Sequence, residues 1–320
     1  MPRHWTWDFE DEHDSRQAGT APTTTEPSRE RVRQVRRRRR GAALLLVSLG
    51  VLGLAILLAG PGSQHRPAPS ASAAAAQVKA RTPPARTAAS PEDDQDAAVS
   101  SVLAYTPFVK EGGDRGRDIA LTFDDGPGPY TPGVLSVLER LRVHATFFVI
   151  GKMLRYFSAS TVREIKDGDV IGDHTETHPQ MALLSAHEQY EELFEQIARI
   201  ELLGGPRPVL FRPPYGSFNT TTLRELHRLH LLMTLWSVDT EDYLQPGVSV
   251  IVQRVLAGAH AGAIVLMHDA GGTRTQTIAA LPIVIDDLRA RGFHLVTVPQ
   301  LLEDDPPPPG QPLPPNLSGD

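Results

Sequence analysis

Short apolar runs alternate with longer amphipathic stretches through the middle of this chain. Ile119–Phe123, Ala145–Ile150, Asp169–Gly172, Val209–Phe211, Leu231–Val238, Ala263–Met267 and His294–Val298 are rich in apolar and β-favouring residues and predict strands. Between them, helical periodicity predicts helices near Thr131–Leu141, Ser160–Lys166, Ser185–Leu203, Asn219–Leu229, Val248–Ala259 and Thr275–Arg291, with a short one from Pro299. Thr131 before Pro132, Ser185 with Glu188 three residues later, and Thr275 read as helix starts. Strands that alternate with helices pair in parallel through right-handed crossovers. About seven such strands fit either an open doubly wound sheet or a closed or nearly closed β/α barrel. The lack of a glycine-rich nucleotide loop after the first strand weakens the doubly wound reading. This α/β domain occupies residues 105–303.

The flanks have other patterns. Gly41–Gly60 is an apolar stretch without a charge. As a helix rising 1.5 Å per residue it would span about 30 Å, the thickness of a hydrocarbon core. Arg36–Arg40 precede it and no basic residue directly follows, so the N-terminus is expected in the cytoplasm and the remainder outside. A polar tail precedes the stretch, so it reads as an uncleaved transmembrane signal anchor at 41–60 rather than a cleaved signal peptide. The expected location is the cell membrane, single-pass, with an extracytoplasmic domain. Residues 1–40 read as a disordered basic cytoplasmic tail, 61–104 as an Ala/Pro-rich linker, and 304–320 as a Pro-rich disordered tail.

Composition narrows the chemistry. There is no cysteine, so disulfides and thiolate metal sites are excluded and any metal must be held by imidazoles and carboxylates. The chain carries a formal charge of −6 although residues 1–40 are net basic, so the domain is acidic, which argues against nucleic-acid binding.

Polar residues cluster where five of the predicted strands end. The first runs into Asp124-Asp125, a pair of carboxylates that repel and call for a cation, either a metal or an arginine. The third is followed by His174 and His178, four apart, so that on a helical turn both imidazoles face one way. Two imidazoles and a carboxylate suit a zinc-type ion with open coordination positions. Arg212 precedes two prolines that stiffen its loop and is placed to pair with an aspartate. His268 ends an apolar strand and is a candidate for proton transfer. In β/α folds these strand ends open on one face, where active sites lie.

Thr122–Pro127, His174–His178, Arg212–Tyr215, Asp239–Tyr243 and Leu266–His268 resemble, in order, the five motifs of polysaccharide deacetylases, carbohydrate esterase family 4 or the NodB-homology domain. The resemblance covers about residues 117–302. It implies a distorted (β/α) barrel of about seven parallel strands. It implies a metal-dependent hydrolase removing N-acetyl groups from N-acetylglucosamine-containing polysaccharide such as peptidoglycan, with an O-acetyl xylan-type esterase or a non-catalytic wall-binding module as alternatives. It also implies Asp125, His174 and His178 as ligands of a divalent metal, zinc first, cobalt or nickel also suited. Asp124 would be the general base, Arg212 its partner, His268 the general acid and Asp242 the residue that tunes it. Tyr215 would supply an oxyanion N–H, and Leu266, Tyr243 and Pro213 would face the substrate. The fourth motif usually ends in Trp; here it ends in Tyr243. The implied partners are an N-acetylated glycan and, through one helix, the membrane.

Overall fold

The computed structural model describes residues 91–313. In chain order these form α1 (Pro91–Leu103), β1 (Phe108–Val109), β2 (Asp118–Asp124), α2 (Thr131–Leu141), β3 (Thr146–Val149), α3 (Leu154–Asp167), β4 (Val170–Asp173), α4 (Ala186–Leu202), β5 (Leu210–Phe211), α5 (Thr220–Leu229), β6 (Leu232–Thr234), β7 (Val238–Asp239), α6 (Val248–Gly258), β8 (Ile264–His268), α7 (Thr275–Ala290), β9 (His294–Val296) and α8 (Val298–Asp304). The strands pair in parallel in the order β1-β6-β5-β4-β3-β2-β8-β7, with β9 also on β2. The sheet is a curled, incomplete barrel: β1 and β7 end the strand path, and an isolated antiparallel bridge joins Glu111 to Ala263.

Strand parity decides which side chains enter the barrel. Side chains on a strand alternate between its two faces. Ile119, Leu121 and Phe123 of β2 join Phe147, Val149, Val265 and Met267 in the layer under α2 and α7. Ala120 falls instead in a second cluster with Phe148, Leu210, Leu232 and Ile264. The same parity carries Thr122 and Asp124 on β2, and Leu266 and His268 on β8, onto the Ala120 and Ile264 face. β2 and β8 are in register, with Asp124 opposite His268, so both polar groups emerge at the carboxyl end together.

Val99 and Val102 of α1 pack with Val298, Leu301 and Leu302 of α8 in that second cluster, alongside Ala120, Ile264 and Leu232. This corrects the linker boundary. The helix Pro91–Leu103 lies inside the stretch 61–104 and belongs to the folded unit. At the other end, Gln311 accepts from Lys110 N–H and donates to Glu111 O, so the beginning of 304–320 is packed rather than a free tail. Of the transmembrane reading, 41–60 lies outside the described residues, as do 1–40, the linker up to residue 90 and the last seven residues. Among the described residues no helix is long and apolar enough to cross a membrane.

Two helix starts differ from expectation. Ser185 and Glu188 do form a reciprocal capping box on α4. Thr131 does not cap α2: its hydroxyl accepts from Gly128 N–H and donates to Asp269. Thr275 is likewise not a cap; α7 starts after Arg274 without a side-chain cap.

At the foot of β4, Asp169 accepts from Ala145 N–H. Burial is the main influence on its carboxyl and, with Asp167 nearby, pushes its pKa up to about 7. An unfolded aspartate titrates near 3.9, so between about pH 4 and 7 the folded chain holds the extra proton and loses stability as pH rises through that window. Asp169→Asn keeps the acceptor and removes the charge. Its melting temperature is expected to match the wild type at pH 4 and exceed it at pH 8, as calorimetry at both pH values would read.

Candidate active site

Arg212 is buried within the barrel. Nη1 donates to Asp124 Oδ1 at 2.8 Å and to Thr122 Oγ1 at 2.7 Å. Nε and Nη2 donate to the carbonyls of Thr234 and Leu235 at 3.0 Å each. Its guanidinium carbon lies 4.2 Å from the centroid of the Phe148 ring. A buried ion pair survives only when its desolvation is offset by such close geometry and by partners for the remaining donors. The cation that the Asp124-Asp125 pair calls for is therefore, for Asp124, this arginine.

Asp125 has a different neighbourhood. It leaves the strand with φ 73°, and its Oδ1 lies 3.1 Å from His178 Nε2 and 3.6 Å from His174 Nε2. One ligand atom from each of Asp125, His174 and His178 falls within 4.8 Å of the others. Burial would raise the Asp125 pKa, but the neighbouring His178 and His174 imidazoles outweigh it and hold the carboxyl well below the usual carboxylate range. Burial lowers the His178 pKa despite the opposing Asp125, which favours the neutral ring a metal requires. His174 Nδ1 is 2.7 Å from the Arg212 carbonyl, which can only accept, so Nδ1 carries a proton and Nε2 is the ring atom turned toward the carboxylates. Two nitrogens and one carboxylate oxygen, converging and partly buried, fit a divalent ion of the zinc type.

The pair 174/178 does not reach this geometry on a helical turn as expected. Thr175 (φ 68°) and His178 (φ 65°) are both left-handed, and the folded-back loop brings the ring centroids to 5.0 Å. Gly271 supports the arrangement from β8's following loop. Its φ is 72°, and a Cβ there would stand 2.4 Å from Asp125 Oδ2.

His268 and Asp242 form the third group. His268 Nδ1 is 2.7 Å from Asp242 Oδ1, and His268 N–H donates to Oδ2 at 3.0 Å. Thr277 Oγ1 donates to Oδ2 at 2.6 Å. Burial works against an imidazolium here, yet Asp242, with Asp125 and Asp124 behind it, outweighs burial and pushes the His268 pKa up to about 9. Burial likewise works against the Asp242 carboxylate, but His268 and Thr277 hold its pKa below the usual range. Tyr243 packs edge-on against His268 with centroids 5.4 Å apart. Leu266 is buried two residues before His268 on the same strand face, Pro213 is buried beside Arg212, and Tyr215 is 49% exposed.

All eleven sequence-derived residues thus lie on β2, β8 or the loops after β2, β4, β5 and β7. Thr122, Thr277 and Gly271 were missed. Thr122 had a signal, since strand parity puts it on Asp124's face; Thr277, in the first turn of α7, and Gly271, in the loop before it, act through contacts with the distant loops carrying Asp242 and Asp125 and had none. His227, His230, His144, His187, His260 and His294 stay outside the site; His260 and His294 pair with Glu111 and Asp118 instead.

A family model for polysaccharide deacetylase matches residues 111–233. The peptidoglycan-N-acetylglucosamine deacetylase PgdA of Listeria monocytogenes is 40% identical over 186 residues, 58% of this chain and 39% of that protein. The chain thus spans about two fifths of that relative's length. A chitooligosaccharide deacetylase of Rhizobium leguminosarum bv. trifolii is 36% identical over 62% of this chain and 97% of that one. The crystal structure of BA3943, a CE4 family pseudoenzyme from Bacillus anthracis, superposes with a TM-score of 0.58 at 30% identity, covering 62% of this chain and 69% of that one.

Proposed function

The chain belongs to the polysaccharide deacetylase family, and from that membership we propose that it is a metal-dependent hydrolase removing N-acetyl groups from N-acetylglucosamine units of a cell-envelope glycan, peptidoglycan foremost. The observation that carries this reading is the separation of roles among neighbouring acids: Asp124 on Arg212, Asp125 facing two imidazoles, Asp242 on His268.

Asp125, His174 and His178 would hold the ion. When bound, it would supply Lewis-acid polarisation of the acetamide carbonyl and acidification of a water. Asp124, fixed by Arg212 and unable to rotate away, takes the proton from the attacking water. The hydroxyl adds to the carbonyl carbon, and the Tyr215 N–H donates a hydrogen bond to the substrate oxygen as negative charge develops there. With Nδ1 held by Asp242, His268 gives the proton on Nε2 to the amine as the C–N bond breaks, releasing acetate and a free glucosamine nitrogen. Leu266 borders the acetyl methyl, and Tyr243 and Pro213 border the sugar.

The location rests on the sequence. A charge-free stretch at 41–60 behind an arginine run would tether the domain outside the membrane, within reach of the wall.

Full-length protein loaded with zinc, cobalt or nickel is offered purified cell wall, chito-oligosaccharides and acetylated xylan, with acetate quantified. Acetate from the first two is expected. Acetate from xylan alone would replace the reading with an O-acetyl esterase. No acetate from any of them, with glycan affinity retained, would make the chain a binding module, as its likeness to a pseudoenzyme keeps open.

A further inference from the structure

One short segment reaches behind both imidazoles of the Asp125 group. The Arg212 carbonyl takes the Nδ1 proton of His174. Three residues on, Tyr215 Oη lies 3.1 Å from His178 Nδ1, and the two rings meet edge-on with centroids 4.6 Å apart. A carbonyl can only accept, so the His174 tautomer is fixed by its partner. A hydroxyl can accept or donate, so the His178 tautomer depends on what its Nε2 faces. That nitrogen points at Asp125 Oδ1 from 3.1 Å. If Nε2 serves as a metal ligand it must present a lone pair, the proton must sit on Nδ1, and Tyr215 Oη must accept it.

We propose that the Tyr215 hydroxyl is a positioning group for the metal site, accepting the Nδ1–H of His178 and holding that ring in the ligating tautomer and orientation. The role is separate from that of the Tyr215 backbone and rests on the metal-site reading above. The local backbone supports it. Tyr215 has φ 59° and His178 φ 65°, so each is a non-glycine residue held left-handed on a different loop, and the two meet at this hydrogen bond. Burial does not explain the placement, because the tyrosine ring remains half exposed. Pro213 and Pro214 restrict the chain that delivers it. Motif three thereby orients both ligand imidazoles, one through a carbonyl and one through a phenol.

The test compares full-length wild type and Tyr215→Phe, which keeps the ring and removes the hydroxyl. Zinc affinity is read by competition with a chromophoric chelator, and metal-free melting temperature is measured alongside. The expected result is a zinc Kd weaker by about 10–100-fold in the variant, with an unchanged metal-free melting temperature. A variant Kd within twofold of wild type would overturn the inference. So would an affinity loss matched by a lower metal-free melting temperature, which marks a merely structural contact. If wild type itself takes up no zinc, cobalt or nickel, the metal-site reading fails and this inference falls with it.

Discussion

Asp124→Asn is expected to cut acetate release by about 10²–10⁴-fold, the contribution of a well-placed general base. The substitution preserves shape and leaves the Asp125, His174 and His178 donors untouched, so metal content should stay at the wild-type level. It also leaves Arg212 with Thr122, Thr234 and Leu235 as partners but without its hydrogen-bonded counter-charge. Breaking a buried ion pair from one side costs about 3–5 kcal/mol, so the variant should melt earlier than wild type. Rates are therefore to be taken per folded, metal-loaded molecule. A folded, metal-loaded Asp124→Asn that retains activity within tenfold of wild type would remove Asp124 from the role of base and leave Arg212–Asp124 as a structural pair.

The two adjacent aspartates show what the sequence makes legible and what it does not. Period-two alternation along Ile119–Asp124 suffices to send Asp124 into the barrel, because one face of β2 is apolar and the other becomes polar only at its end. That the two acids would be divided between an arginine and a pair of imidazoles is a three-dimensional outcome: Asp125 departs from the strand through a left-handed turn that no local pattern encodes. The loop carrying His174 and His178 fails as a helical turn for the same reason, since two non-glycine residues adopt left-handed conformations that only surrounding contacts sustain. At the fold level, the predicted strand Leu231–Val238 is one apolar run in the sequence but two strands in space. β6 pairs with β5 and β1, then the chain crosses to β8 as β7. Hydropathy does not change at that crossing, so the break was invisible. Likewise β1 is two residues long, too short for any periodicity. The helix α1 is acid-rich, and its apolar contribution is little more than Val99 and Val102. It folds by plugging against α8, a partner about 200 residues away, not by its own pattern.

The second large effect is expected at Asp242, and its signature is in pH rather than in rate alone. With Asp242 beside it, His268 titrates at about 9, so the imidazolium needed to protonate the leaving amine persists through neutral pH. The alkaline limb of kcat should therefore lie near pH 9 in the wild type. Asp242→Asn keeps an acceptor for the Nδ1–H but removes the charge, and burial then works on the imidazolium with less opposition. Losing one close opposite charge lowers a pKa by about 1–3; a limb moved to about pH 7 costs roughly 25-fold in kcat at pH 8.5, with recovery at lower pH. Stability moves in step. A raised histidine pKa stabilises the fold fully below its unfolded value of about 6.5, and the benefit fades as pH climbs through 9. The melting-temperature difference between wild type and Asp242→Asn should thus be largest near pH 6 and shrink by pH 10. A variant whose kcat profile keeps its alkaline limb at 9 would show that the limb belongs to another group, and His268 would lose the role of general acid.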